Sequence, residues 1–416
     1  MKTRHKVLSA LFLLSIITYL DRVCMNVVSK YIKEDLSINN QQFGYILGAF
    51  SLAYALFEIP TGAMGDRIGP RKVLTRVVLW WSGFTALTAV GYNYIYLIIV
   101  RFFFGAGEAG AYPNASIVIA RWFPAVEVAR AQAVIWAAGR LGGALTPFLV
   151  IPLVHRLGWQ MAFVALGLVG VCWAVGWYNW YRDTPSEMKN ISQEEVDEIE
   201  SQRKIKASEH HFSWQTIIKN PNIWALMLMC HLFFYASYFF TNWSNTYFIE
   251  GRGMTEDQSK NFISLSYVLG AIGCIIGGFL SDFLVKKYGL SFGRKSVAMG
   301  GLGLSSILFL SAGLTQNNDL VGYLLALCVL TKDLALPVAF ATCVDIGKKY
   351  SGTVAGTMNF AGQLGGFFIT IIFGIIVEQT HNFNYPLILI SGCLVVSALM
   401  WLKIDPNKDL QISSGE

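Results

Sequence analysis

RFFFGAGEAGAYP, residues 101–113, places two opposite charges inside a stretch that otherwise reads as membrane. Arg101 and Glu108 are seven residues apart. On an α-helix that is about 20° short of two full turns, so both side chains leave one face, one above the other. A charge at bilayer depth costs about 2.5 to 3.5 kcal/mol on insertion scales, so a helix facing only lipid would not keep two. The stretch predicts an interior site; the plainer alternative is an ion pair that only braces helices.

The rest of the chain agrees with a bilayer setting. Of 416 residues, 54% are hydrophobic and 14% charged, against about 25% charged in soluble domains. Apolar runs of about 20 residues, the length that crosses a hydrocarbon core of about 30 Å, fall at 7–28, 43–63, 73–91, 95–119, 129–153, 159–181, 223–248, 261–285, 296–315, 320–346, 352–377 and 385–403. The opening MKTRHK and LFLLSIITYL resemble a signal peptide, but no small-residue cleavage site follows and Asp21-Arg22 interrupts the run, so it is read as a retained first span. The seven cysteines lie in apolar segments without a CxxC pair, which suits packing better than a metal or a disulfide.

Twelve spans put both termini on one side of the membrane. With that side cytoplasmic, roughly 23 of the 32 Lys and Arg lie in or beside cytoplasmic segments. Topology thus accounts for the net charge of +6, and no nucleic-acid partner is needed. The long polar segment Arg182 to Asn222 divides the chain into two six-span bundles, 1–181 and 223–416, joined by a cytoplasmic linker, 182–222. Within it, SQEEVDEIESQRK predicts a short helix with Ser192 as N-cap and Glu195 three residues on. Its acidic run reads as a solvated face.

The halves echo each other. GAMGDRIGPRK, at 62–72, recurs more loosely as GFLSDFLVKKYGLSFGRK, at 278–295, with Asp66 and Asp282 about half the chain apart. Gly62 and Gly69 permit a tight turn; Asp66 can cap a helix or pair with Arg67 or Arg71, as Asp282 can with Arg294. The expected fold is an all-α membrane protein of twelve transmembrane helices in two pseudo-symmetric six-helix bundles.

Further polar groups interrupt the spans. Tyr19, Arg22 and Asn26 form a stripe on the first, with Asp21 beside it, and Tyr54 and Glu58 share a face of the second. Arg140 follows Trp136 by one turn on the fifth, and Lys332-Asp333 precedes Pro337 on the tenth. The seventh carries His231, Tyr235, Tyr238 and Asn242 at i, i+4, i+7 and i+11, while the eleventh has Asn359 and Gln363 among small residues that admit a close neighbour. Unpaired, the buried charges would cost on the order of 20 kcal/mol, so they face one another or a wet cavity, expected between the halves. His231 reads as a helix–helix contact, Glu58 as a brace for the 62–72 loop, and Lys332-Asp333 either as a self-neutralising pair or as a ligand contact.

Twelve spans with GDRIGPRK after the second resemble the major facilitator superfamily, and YLDR with RFFFGAGEAGAYPN resembles its anion:cation symporter family, over essentially the whole chain. That family includes bacterial sugar-acid transporters and is related to sialin and the vesicular glutamate carriers. The resemblance implies proton coupling at Asp21 and Glu108, anion binding at Arg22 and Arg101, and substrate contacts at Tyr19, Tyr54 and Asn359. The stripes add Arg140, Tyr235, Tyr238, Asn242, Lys332 and Gln363 as candidate contacts. Glu58, Arg140 and Lys332-Asp333 depart from the family's usual residues and bear on the substrate more than on the fold.

The expected function is proton-coupled import of a small organic anion, such as a sugar acid, across a bacterial inner membrane by a monomer with no cofactor beyond the coupling proton. An arginine offers a bidentate fork to a carboxylate. A neighbouring cation favours an ionised acid and burial a protonated one, so an anion that takes over an arginine would load a proton. An uncoupled facilitator or exchanger would use the same charges for binding alone, and a non-transporting nutrient sensor would share the fold. No HExxH, GxSxG or P-loop supports an enzyme.

Overall fold

A computed structural model of the chain describes residues 2–124, 127–188, 191–201, 219–347 and 351–408, and all its regular elements are helical. Each expected span falls on a helix or on consecutive helices. Among the described residues eleven candidates are long and apolar enough to cross a membrane. The helix at the expected third span (73–91), Pro70–Thr88, stands apart because Arg71, Lys72 and Arg76 occupy its first two turns. Large apolar side chains such as Phe279, 78% exposed, and Ile307, 63% exposed, point outward, which suits lipid and would be costly in water. The chain divides into two compact units, Met1–Ile38 with Tyr45–Glu209, and Asn39–Gly44 with His210–Glu416.

The first unit contains α1 (Thr3–Val27), α2 (Ser29–Leu36), most of α3 (Asn40–Ile68), α4 (Pro70–Thr88), α5 (Tyr94–Glu108), α6 (Ala111–Trp122), α7 (Val128–Leu157), α8 (Trp159–Trp180) and α9 (Gln193–Ser201). α1 packs along α7, and α4 packs along α8 and α5. At Gly105 a β-carbon would sit 2.4 Å from the Phe50 carbonyl oxygen, so only glycine lets α5 approach α3 this closely.

The second unit contains α10 (Pro221–Asn242), α11 (Glu256–Tyr288), α12 (Leu290–Leu314), α13 (Asn318–Asp333), α14 (Ala335–Gly347), α15 (Ser351–Thr380) and α16 (Tyr385–Lys403). α10 packs on α15, and α12 on α16.

The seventh expected span breaks at Trp243, and two others break just after an acid. The fourth parts at Ala109–Gly110, after Glu108, and the tenth at Leu334, after Asp333. A proline follows in both, Pro113 and Pro337, which lacks the N–H for the helical bond and crowds the carbonyl four residues back. The discontinuity puts Lys332 at the carbonyl end of α13 and Asp333 just before the amide end of α14, the favourable end for each charge.

The two loops of the sequence repeat start their following helices alike. Gly69, with φ +89°, precedes α4, and Gly289, with φ +90°, precedes α12; both conformations strain any residue with a β-carbon. In the second loop Arg294 pairs with Asp282 and Asp345, each at 3.0 Å. In the first, Asp183 accepts from the Arg71 amide at 2.9 Å, and the Arg71 guanidinium donates to the Tyr178 carbonyl. Gly62 lies against Pro113 and Arg67 is exposed, whereas the Asp66 side chain lies outside the described residues.

The acidic run of α9 is solvated only in part: Glu194 and Asp197 are exposed. Ser192 does accept from the Glu195 amide, at 3.3 Å, but the Glu195 carboxylate reaches the start of α1, accepting from Thr3 N and Arg4 N at 2.9 Å each. Arg4 then pairs with Glu127 and Glu198, while Val196 and Ile199 are buried. The first amides of a helix have no internal acceptors and form its positive end, so a carboxylate 191 residues away serves them. Hydrogen bonds from Arg4 and Lys2 hold Glu198 down from 4.5 to about 2. Its folded-state value is depressed, so its contribution is complete above pH 4.5 and is lost only as pH falls toward 2. Glu195→Ala is expected to destabilise the first unit by about 1 kcal/mol, the usual cost of losing a helix cap. A thermal midpoint and amide exchange at residues 3–5 identical to the parent protein would show that the bracket contributes nothing.

Candidate functional site

The polar stripe of α1 carries the site. Arg22 Nε donates to Glu108 Oε2 at 3.0 Å, with the two side chains 10% and 0% exposed. The Arg22 guanidinium carbon lies 4.5 Å from the Tyr54 ring centre, 5.5 Å from Phe50 and 5.8 Å from Tyr19. Aromatic faces attract a cation without competing for its in-plane donors, so the ring walls hold the charge while its edge meets the acid. Asn26 is buried one turn further along.

Arg101, the other arginine of the site, lies deeper. It is 1% exposed, and its guanidinium sits 4.1 Å from the Phe104 ring and 5.2 Å from Phe50. Seven residues along a helix amount to about 10 Å of rise, too far for Arg101 and Glu108 to bond directly although they share a face. Arg22 instead reaches Glu108 from another helix. Asp21, 1% exposed, is met by Trp81, whose indole Nε1 donates to Oδ2 at 3.1 Å. Among the described residues Arg101 Nε, Asp21 Oδ1 and Glu108 Oε1 are buried without a hydrogen-bond partner. Each such atom forfeits its hydration without a hydrogen bond in return, which costs stability.

Trp81 was not legible as part of this site. It sits in the apolar LWWSGF run of α4 and reads as packing; the available signal was the need of a buried Asp21 for a donor.

A second wall comes from α6 and α7. Tyr112 and Trp136 stack with ring centres 4.6 Å apart and planes 9° from parallel. At Gly139 a β-carbon would lie 2.6 Å from Tyr19 Cε2 and 2.9 Å from the Tyr112 hydroxyl, so glycine admits the Tyr19 ring against α7. Arg140, half-buried, follows Gly139 directly and Trp136 by one turn, and Glu58 on α3 is likewise half-buried.

The second unit uses its polar stripe differently. His231 Nδ1 lies 3.0 Å from the Ala361 carbonyl, the Tyr238 hydroxyl donates to Gln363 Oε1 at 2.5 Å, and Asn242 Nδ2 donates to Thr370 Oγ1 at 2.8 Å. These bonds join α10 to α15, where a β-carbon at Gly365 would lie 1.9 Å from the His231 carbonyl oxygen. Tyr235 is 4% exposed, and Asn359 is half-buried on α15. Lys332 and Asp333, both 0% exposed, form an ion pair; Lys332 Nζ also donates to Ser237 at 2.9 Å and lies 4.4 Å from the Phe233 ring.

Comparison with known proteins agrees with the architecture. The chain is 32% identical to "Probable sulfoacetate transporter SauU" of Cupriavidus necator, over 97% of this chain and 94% of that one. It is 28% identical to "Hexuronate transporter" of Bacillus subtilis, over 96% and 94%. The structure resembles that of a bacterial homolog of the human lysosomal transporter Spinster, with TM-score 0.78, 17% identity and 96% of each chain covered. It also resembles the xylose transporter XylE of E. coli, with TM-score 0.74, 15% identity and the same coverage. These relatives are carriers rather than enzymes, and the helical fold is theirs. The family profile matches residues 11–370, and this multi-pass membrane transporter belongs to the Major Facilitator Superfamily.

Proposed function

We propose that this transporter imports a small organic acid anion, of the kind exemplified by sugar acids, together with protons, by alternating access. The observation that carries the reading is the buried Arg22–Glu108 pair, with Asp21 and Arg101 buried in the same unit. In the empty carrier Arg22 compensates Glu108. An incoming carboxylate is the better two-pronged partner for a guanidinium, and as Arg22 turns to it Glu108 is left as an uncompensated buried charge. Taking up a proton removes that cost, so binding of anion and proton become linked through one exchange of partners.

The names of the relatives, for sulfoacetate, hexuronate and galactarate or glucarate, support an organic acid as substrate. The distribution of Lys and Arg supports both termini in the cytoplasm.

Purified protein in liposomes tests the proposal. With the outside made acid, labelled organic acid is expected to accumulate, with alkalinisation outside and collapse on adding a protonophore. Equilibration without accumulation would replace symport by facilitated diffusion or exchange, and no uptake of any organic acid would leave a sensor of the same fold.

A further inference from the structure

We propose that a cavity at the turn between α11 and α12 binds the phosphate of an anionic phospholipid. The two loops of the sequence repeat differ here: the first fills from its own chain a place that the second leaves open.

At Gly69 a β-carbon would lie 2.3 Å from Asp183 Oδ2, and that carboxylate accepts from the Arg71 amide at 2.9 Å, with Arg121 3.8 Å away. The start of α4 thus holds an oxyanion supplied by the chain, where the unbonded amides and positive end of a helix favour one. Gly289 has the same backbone twist, yet no described atom lies within 4 Å of the corresponding position. Arg71 follows Gly69 by two residues, whereas Arg294 follows Gly289 by five. Beside the start of α12 lies a cavity of about 680 Å³, whose lining includes Ser291, Lys295 and Asn407 together with Tyr288, Phe292 and Met299.

The charge of that lining has one sign. Lys295 is its single ionisable side chain apart from the Tyr288 phenol, and among the described residues Nζ meets the Leu402 carbonyl alone, at 3.5 Å. The neighbouring acids are engaged elsewhere, Asp282 and Asp345 by Arg294 and Asp405 by Lys408 and the Asn407 amide. An anionic oxygen group complements such a lining, as Asp183 does in the first unit.

The rim favours a lipid over a soluble anion. Tyr288 and Phe292 are exposed and meet edge to face with ring centres 5.2 Å apart, and Lys287 Nζ lies 5.1 Å from the Tyr288 ring. Aromatic rings beside lysines are characteristic of the headgroup level of a bilayer. Further along α11, Phe283 and Phe279 are exposed as well, an apolar surface on which acyl chains can lie.

The test is a thermal-shift titration of the full-length protein in detergent with dioleoyl phosphatidylglycerol, dioleoyl phosphatidylcholine and soluble glycerol 3-phosphate, repeated on three variants. Phosphatidylglycerol is expected to stabilise the parent protein at about fivefold lower concentration than phosphatidylcholine, the factor that one lysine beside an anionic lipid supplies. Lys295→Gln is expected to erase that preference, whereas Lys72→Gln, which removes an exposed lysine from the first loop, keeps it. Ser291→Asp supplies from the chain the carboxylate that Asp183 gives the first unit. It is expected to raise the midpoint without lipid and to abolish the response to phosphatidylglycerol. Equal responses of the parent to the two lipids, or equal losses in the two lysine variants, would overturn the inference. A response to glycerol 3-phosphate matching that to phosphatidylglycerol would replace the lipid by a soluble phosphate and overturn it too. Ser291→Asp places an aspartate in the first turn of a helix and folds even where Lys295→Gln does not; a full phosphatidylglycerol response in that variant would likewise overturn the inference.

Discussion

Arg22→Lys is expected to lower organic-anion uptake by about 10²-fold although it conserves the charge. A guanidinium is planar and presents donors along two edges; here Nε faces Glu108 and the plane is walled by Tyr54, Phe50 and Tyr19. Such a group can hold Glu108 along one edge and receive a carboxylate along another. A lysine ammonium is a point charge on a flexible stem, with no second edge to hand over and no flat face to stack. Losing a buried charge-assisted contact costs about 3 kcal/mol, which sets the expected factor. Initial uptake rates in liposomes of known protein content measure it. Near-normal rates would exclude Arg22 as the anion clamp and return that role to Arg101, which lies deeper and 1% exposed.

Glu108→Gln is expected to separate binding from coupling. Glutamine keeps the volume of the side chain at the end of α5 and can still accept from Arg22, but it cannot carry a proton. Substrate should still bind, and exchange between pools on the two sides should persist within about threefold of the parent rate. Accumulation should be absent: one proton moving down one pH unit is worth about 1.4 kcal/mol, or tenfold in concentration, and the variant should show none of it. Proton-driven accumulation by this variant would sink the assignment and transfer coupling to Asp21. Loss of binding altogether would make Glu108 part of the anion site itself.

Both predictions depend on an encounter that periodicity could only frame. Spacing along α5 placed Arg101 and Glu108 on one face, but the rise of the helix keeps them apart, and it is Arg22, 86 residues away in sequence, that reaches Glu108. The same holds for Asp21 and Trp81, 60 residues apart, and for Tyr238 and Gln363, 125 apart. Arg140 and Lys332 look alike as lone cations within spans, yet one is half-buried and the other is buried in an ion pair with Asp333. The acidic linker shows the opposite failure. Its charges suggested water, which Glu194 and Asp197 do meet, while the unsatisfied amides at the start of α1 recruited Glu195.

The sequence by itself determined the spans, the paired loops at 62–72 and 278–295, and which charges had to be accommodated in the membrane. Those follow from local quantities, since hydropathy over about 20 residues, glycine and proline chemistry and the cost of a buried charge need no knowledge of neighbours. The breaks after Glu108 and Asp333 were half legible, because Pro113 and Pro337 were visible but a proline can kink a helix as well as interrupt it. Only the tertiary structure decided which arginine compensates which acid, which polar groups bind helices together, and that Trp81 serves Asp21. A helical period fixes the direction in which a side chain leaves its own helix, whereas its partner is set by which helix lies opposite and at what height, a property of packing that no single segment contains.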